Sequence, residues 1–328
     1  MEVINSTPFA AAVVHAQGAD GDGRLQITIK ATFSFAGMPA GKQEAIVDAD
    51  AFTGEPGASS LAAVTDLGWG KPGTDILLFA EALAPRAETR QCEVALAVGP
   101  VRKSVRVIGD RRWRRRLFGV VASDPLPFTT MPLTWERAFG GSATTRDGTL
   151  LMDERNPVGT GFSHPDAQDD LAERRLPNLE DPGYPLATPK DHPDPVGVAP
   201  ICPHWLPRRR HAGTYDERWS LQRAPAPPAD FDPRFLQCAP ADQVVPGHLK
   251  GDEEVVLEHI APLGSYRFRL PGGRLRVAVS DGATLHELAT TLETVALHPG
   301  SDRMILTWRA EAAEAADAIA RVTIGRDG

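Results

Sequence analysis

The chain has 328 residues and a formal net charge of -8, long enough to bury a large core as one β-rich unit or as two intimate domains. Its 42% hydrophobic and 24% charged residues exclude a disordered chain, and the acidic balance argues against a generic nucleic-acid binder, which needs a clustered positive surface. No segment approaches the ~20 apolar residues of a membrane-spanning helix and the start lacks a signal-like run, so a cytoplasmic protein is expected.

Leu25, Ile27, Ile29, Ala31, Phe33 and Phe35 alternate with Gln26, Thr28, Lys30, Thr32 and Ser34, which predicts a long half-buried strand. The glycines of 18–23 supply a turn and Phe9 to Ala16 a partner strand, giving a first hairpin. Gly, Pro, Ser and Asp dominate Asp48 to Thr74, a loop feeding an apolar run, Ile76 to Ala84, that reads as a buried strand. Glu93 to Val98 and Val101 to Val107 flank Gly99-Pro100 as a second hairpin.

Between Pro177 and Pro246 fall 15 of the 29 prolines, a density that leaves no room for a central strand or a long helix. The same segment carries Trp205, Tyr215, Trp219, Phe231 and Phe235, so it reads as an ordered wrap pinned by aromatics rather than a linker. Glu253 to His259 then forms a strand. Tyr266, Phe268 and Leu270, followed by Leu275, Val277 and Val279, alternate on either side of a Pro271-Gly272-Gly273 turn, a third hairpin. Thr291 to Leu297 and Arg303 to Trp308 add two strands, and the Ala/Glu-rich Glu311 to Ala320 predicts a short C-terminal helix. The expected fold is mainly β, an antiparallel β-sandwich-like core with long ordered loops. It forms one domain over 1–328, with an N-terminal β region at 1–125, a loop-rich middle at 126–250 and a C-terminal β region at 251–328.

No nucleophile elbow, phosphate loop, zinc-protease helix or dinucleotide fingerprint occurs, so no catalytic, cofactor-binding or metal residue is assigned. Gly37 to Gln43 has the wrong spacing for a phosphate loop. Cys202, His204, His211 and Cys238 are residue types that suit zinc, but their spacing matches no ligand knuckle and they read as packing residues. With Cys92, the three cysteines are odd in number and far apart, which makes no disulfide framework.

Irregular chemistry gathers in Met131 to Phe162, where Trp135, Glu136 and Arg137 stand side by side before Gly140-Gly141 and Asn156-Pro157. Glu136 and Arg137 could serve acid/base catalysis, but an adjacent Glu and Arg more often tie loops together by charge-assisted hydrogen bonds. Asp147, Asp153 and Glu154 lack calcium-loop spacing and read as a solvated loop. Arg111 to Arg116 holds five arginines around Trp113, which strand alternation splits between two faces and nearby acids should neutralise. Arg111, Trp113, Arg115, Trp135 and Arg137 are the candidate partner-binding residues.

A set of short motifs in fixed order adds a resemblance. It comprises Asn5-Ser-Thr-Pro-Phe9, Lys30-Ala-Thr-Phe33, Ser59-Ser60, Asp66, Lys71-Pro-Gly-Thr-Asp75, Gly109-Asp-Arg111 with Trp113, and Met131-Pro-Leu133. It continues through Glu136-Arg-Ala-Phe-Gly-Gly141, Asn156-Pro-Val-Gly-Thr-Gly-Phe162, Leu176-Pro-Asn-Leu-Glu180, Trp205-Leu-Pro-Arg208, Ala212-Gly-Thr-Tyr-Asp216 with Trp219, Asp230-Phe-Asp232, Ala239-Pro240 and Gly251-Asp252. In this order the chain resembles the bacterial family called domain of unknown function 2169, over about residues 1 to 310. It departs from the family pattern at Leu83, where an aromatic is expected. The resemblance implies an adaptor or chaperone of type VI secretion, with a secreted effector protein and a spike protein as partners, no cofactor, no membrane and no nucleic acid. It brings no catalytic residues with it. The alternative is a hydrolase acting on polysaccharide or nucleic acid through the Glu136/Arg137 loop, and direct nucleic-acid binding through Arg111 to Arg116 comes third.

Overall fold

The alternation beginning at Leu25 does form a strand, Gly23–Phe33, paired antiparallel with Ala10–Gln17. It belongs to a computed structural model that describes residues 1–17, 22–117, 119–167, 171–313 and 319–326. The strand lies in a six-stranded sheet ordered Val244–Pro246, Gly73–Leu78, Thr291–His298, Arg303–Ala313, Gly23–Phe33 and Ala10–Gln17. Neighbours there are antiparallel except Gly73–Leu78 and Thr291–His298. A second sheet runs Thr130–Pro132, Glu81–Leu83, Glu254–Ile260, Gln91–Val98, Val101–Ile108 and Leu179–Glu180, with Gly264–Arg269 also on Glu254–Ile260. A third joins Glu2–Asn5, Arg321–Arg326, Leu275–Ser280 and Leu285–Leu288.

The fold is thus mainly β, and strands from the N-terminal and C-terminal thirds are neighbours in all three sheets. Apolar residues of the three sheets meet in one core, including Ile27 and Ile29, Val94 and Leu96, Val255 and Leu257, and Val277 and Ile324. The proline-rich segment is ordered, with two short helices, Leu206–Arg209 and Glu217–Gln222, and its Trp205 is wholly buried. No helix among the described residues is long and apolar enough to cross a membrane.

Four local expectations change. Gly23–Phe33 is buried on both faces, because the loop through Gln43 and Asp66 covers its polar side: Lys30 Nζ lies 2.7 Å from Asp66 Oδ2, and Gln43 exchanges hydrogen bonds with the Thr32 backbone. The run Ile76 to Ala84 is two strands in different sheets, Gly73–Leu78 and Glu81–Leu83, so it turns the corner between the two large sheets. The third hairpin does not close at Pro271-Gly272-Gly273. Gly264–Arg269 folds back on Glu254–Ile260 instead, and Leu275–Ser280 pairs with Arg321–Arg326 and Leu285–Leu288. Alternation specifies which face of a strand is buried but not which strand lies beside it. Finally, Glu311 to Ala313 continue the strand Arg303–Ala313 rather than starting a helix, because they ladder against Arg24 to Gln26; 314–318 lie outside the described residues.

Candidate functional site

Thr130–Pro132 ends on the edge of the second sheet, and the chain then tightens into a single 3-10 turn, Trp135–Arg137. Its three side chains point to three separate tasks. Trp135 is buried, donates its indole N–H to Ala199 O (3.1 Å) and Pro200 O (2.9 Å), and meets Trp205 edge to face with ring centroids 5.8 Å apart. Glu136 Oε1 accepts the Ser60 backbone N–H at 2.8 Å, across 76 positions of sequence. Arg137 Nη1 donates to Asn178 Oδ1 (3.0 Å) and Asp110 Oδ1 (3.2 Å). Burial opposes ionisation of Glu136, but hydrogen bonds from Thr134 and from the backbone N–H groups of Glu136 and Ser60 outweigh it and lower its pKa.

Downstream, Phe139–Gly140 runs parallel to Thr160–Gly161. The fully buried Asn156 locks this crossover, donating its side-chain amide to Trp135 O (2.8 Å) and Phe139 O (2.9 Å) while its backbone carbonyl accepts Gly141 N–H at 2.9 Å. Gly140 and Gly141 hold φ of 142° and 98°, and a Cβ on Gly140 would come within 2.2 Å of Asn156 O. The two glycines and the asparagine are therefore backbone devices. Among the acids between them, Asp147 caps its own turn through Thr145 and Thr149, and Glu154 is exposed beside Arg209. Asp153, expected in a solvated loop, is instead buried, because Arg155 grips both its oxygens, Nε at 2.9 Å and Nη2 at 2.6 Å.

The arginine stretch forms the strand Trp113–Arg116, paired with Gly119–Ala122. Trp113 anchors it in a small cluster with Phe139, Leu176 and Leu186. Arg111, its side chain about nine-tenths buried, is 2.5 Å from Glu180, while Arg112 (3.6 Å) and Arg114 share the single carboxylate of Glu173. Among the five candidate partner-binding residues, Trp113 and Trp135 are thus corrected to core residues, 1% and 3% exposed, because each ring fills an interior cluster that no partner can reach. Arg115 is exposed.

Arg111 and Arg137 converge. Both line a groove of about 590 Å3 between the arginine hairpin and the Met131 to Phe162 crossover, together with Asp110, Arg112, Arg114, Glu136 and Arg175. Its floor includes Val158, Thr160, Leu176 and Asn178, and Asn178 is tied down by donating to Ile108 O (2.9 Å) and Asp110 Oδ1 (3.0 Å). Asp110 and Asn178 sit inside the Gly109-Asp-Arg111 and Leu176-Pro-Asn-Leu-Glu180 motifs, so a signal for them existed in the sequence. Arg175 had none.

The Cys/His set does not assemble: His211 pairs with Asp232, Cys238 donates to Asp75, and no group of three or more metal-ligand side chains occurs among the described residues. The Lys71-Pro-Gly-Thr-Asp75 motif is a buried ion pair at 2.7 Å. Lys71 Nζ also reaches Thr294 Oγ1 at 2.9 Å.

No curated protein and no solved structure matches the chain. A family model described as uncharacterized protein conserved in bacteria, DUF2169, matches residues 20–309, and the chain belongs to that family.

Proposed function

We propose that this protein is an adaptor of type VI secretion, which binds a secreted effector and promotes its loading onto the spike protein. The observation that carries this reading is the division of labour among the motif residues. Trp135, Glu136, Asn156 and Asp75 face inward and hold loops together, whereas the hairpin above them presents exposed arginines and an almost bare Leu117, 91% exposed. A rigid frame that displays an arginine- and leucine-bearing ridge suits protein recognition, in which arginine is over-represented among the residues that dominate binding energy. The hydrolase alternative would have Glu136 act from the groove wall. Its lowered pKa makes it a poor general acid and a weakened base, and Oε1 is already engaged by Ser60, so that reading comes second. Co-expression with a neighbouring effector and spike protein tests the proposal: the three should co-purify, and failure to bind either one would sink it.

A further inference from the structure

Arg112 and Arg175 stand directly opposite each other across an antiparallel bridge, so their side chains leave the backbone on the same face, and both line the groove. Like charges in that position repel. The nearby acid does little to relieve them: Glu173 bonds Arg114 closely and reaches Arg112 only at 3.6 Å, and Arg175 has no ion-pair partner among the described residues. Two guanidinium groups so placed leave donors free for an anion between them, and a carboxylate suits the paired donors of an arginine fork.

The surroundings narrow the anion's source. Beyond the arginine pair, the groove offers Val158 and the 60% exposed Leu126, surface that suits an aliphatic side chain. Three carboxylates also line the groove, Asp110, Asp124 and Glu136, of which Asp110 and Glu136 each accept from a protein donor. A continuous phosphodiester backbone would run into those carboxylates, and the chain as a whole is acidic. A protein segment with a single carboxylate beside an aliphatic residue sets one negative charge on the arginine pair and lays apolar atoms along the rest of the groove, so it meets less of that repulsion.

We propose that this groove binds an extended segment of the secreted effector that carries one carboxylate next to an aliphatic residue, with Arg112 and Arg175 clamping the carboxylate and Leu126 and Val158 receiving the aliphatic side chain. The inference rests on the adaptor reading for the identity of the partner, but the groove's chemistry can be tested without one. Fluorescence anisotropy with a labelled peptide that carries one glutamate beside a leucine in an otherwise uncharged sequence should show saturable binding, weakening as salt rises. The Arg112→Glu/Arg175→Glu variant, both positions solvent-exposed, should bind about tenfold more weakly or not at all, with unchanged far-ultraviolet circular dichroism and Tm. Arg274→Glu, just before the third-sheet strand Leu275–Ser280, should bind as the parent does. Equal binding of a glutamine/leucine peptide, retained binding by the double variant, or tighter binding of a single-stranded oligonucleotide would each overturn the proposal. If the double variant loses the peptide yet still captures co-expressed effector, the groove is not the effector's site and the adaptor reading stands. If the peptide binds but the unaltered protein captures no effector, it is the adaptor reading that fails.

Discussion

Asp75 has no contact with solvent, yet it stays ionised because protein donors replace water at both oxygens. Lys71 Nζ (2.7 Å), Cys238 N (2.9 Å) and Cys238 Sγ (3.1 Å) donate to Oδ2, and Gln237 Nε2 (2.7 Å) and Ala239 N (3.2 Å) to Oδ1. Burial opposes both charges of the pair, but each partner outweighs it for the other, raising the pKa of Lys71 and lowering that of Asp75. Asp75→Ala strands the ammonium and should lower stability by about 3–5 kcal/mol in urea unfolding. Adding Lys71→Met to it should recover part of that loss, because a buried pair replaced by apolar groups leaves no unpaired charge. Glu136 is less buried and its loss should cost less: Glu136→Gln should lower stability by about 1.5 kcal/mol at neutral pH. Its folded pKa is lowered, so the stabilisation is present above the unfolded carboxylate pKa and is lost as pH falls through the folded one. The gap between the parent and Glu136→Gln should therefore close in acid, and a gap that widens there would assign the wrong sign to this contact. That the two acids are structural was only half legible: adjacency of Glu136 and Arg137 suggested that they tie loops together, as they do, but not that the loops are those of Ser60 and Asn178, and nothing in the sequence marked Asp75 as buried.

At the scale of elements, strands were legible wherever alternation met a glycine turn, as in the hairpins of 10–33 and 91–108. Partnerships set by distant sequence were not. Leu275–Ser280 alternates cleanly, yet nothing in its residues points to Arg321–Arg326, forty-odd positions on, as its neighbour. Nor do the hydroxyls and amides of Gly23–Phe33 announce that a loop will satisfy them and bury their face. The glycines of the crossover were legible, because only a backbone without Cβ accepts such φ values. That assignment separates two substitutions. Gly140→Ala combines a φ of 142° with a contact of 2.2 Å to Asn156 O and should cost about 3 kcal/mol in unfolding free energy. Gly148→Ala, at φ 89° in open space, should cost only the strain of a left-handed residue, about 1–2 kcal/mol. Equal losses in denaturant titrations would mean that the crossover adapts.

For the whole molecule, the three cysteines report how far the sheets act together. Burial pushes the Cys202 and Cys238 thiols up to about 12 and Cys92 up to about 11, so each is a poor source of thiolate at neutral pH while its surroundings stay folded. Cys238 lies in the loop-rich middle, but its environment is built from both ends of the chain. Asp75 comes from the N-terminal third, and Lys71 links that carboxylate to Thr294 in the C-terminal third. Cys202, likewise in the middle, packs in the core shared by all three sheets. Releasing Cys202 requires that core to open, and releasing Cys238 requires the proline-rich segment to lift from Gly73–Leu78 and Thr291–His298, strands whose other face belongs to the same core. Labelling with a chromogenic disulfide across a urea series should therefore expose Cys202 and Cys238 at one common midpoint, matching the loss of tryptophan fluorescence. Cys92, half-buried near the start of Gln91–Val98, where that strand pairs with Val101–Ile108 but has run beyond its pairing with Glu254–Ile260, should react first through local opening. If Cys238 instead became reactive well below the midpoint for Cys202, the proline-rich segment would be peeling from a sheet core that stands without it, and the wrap would be a covering rather than a member of the cooperative unit.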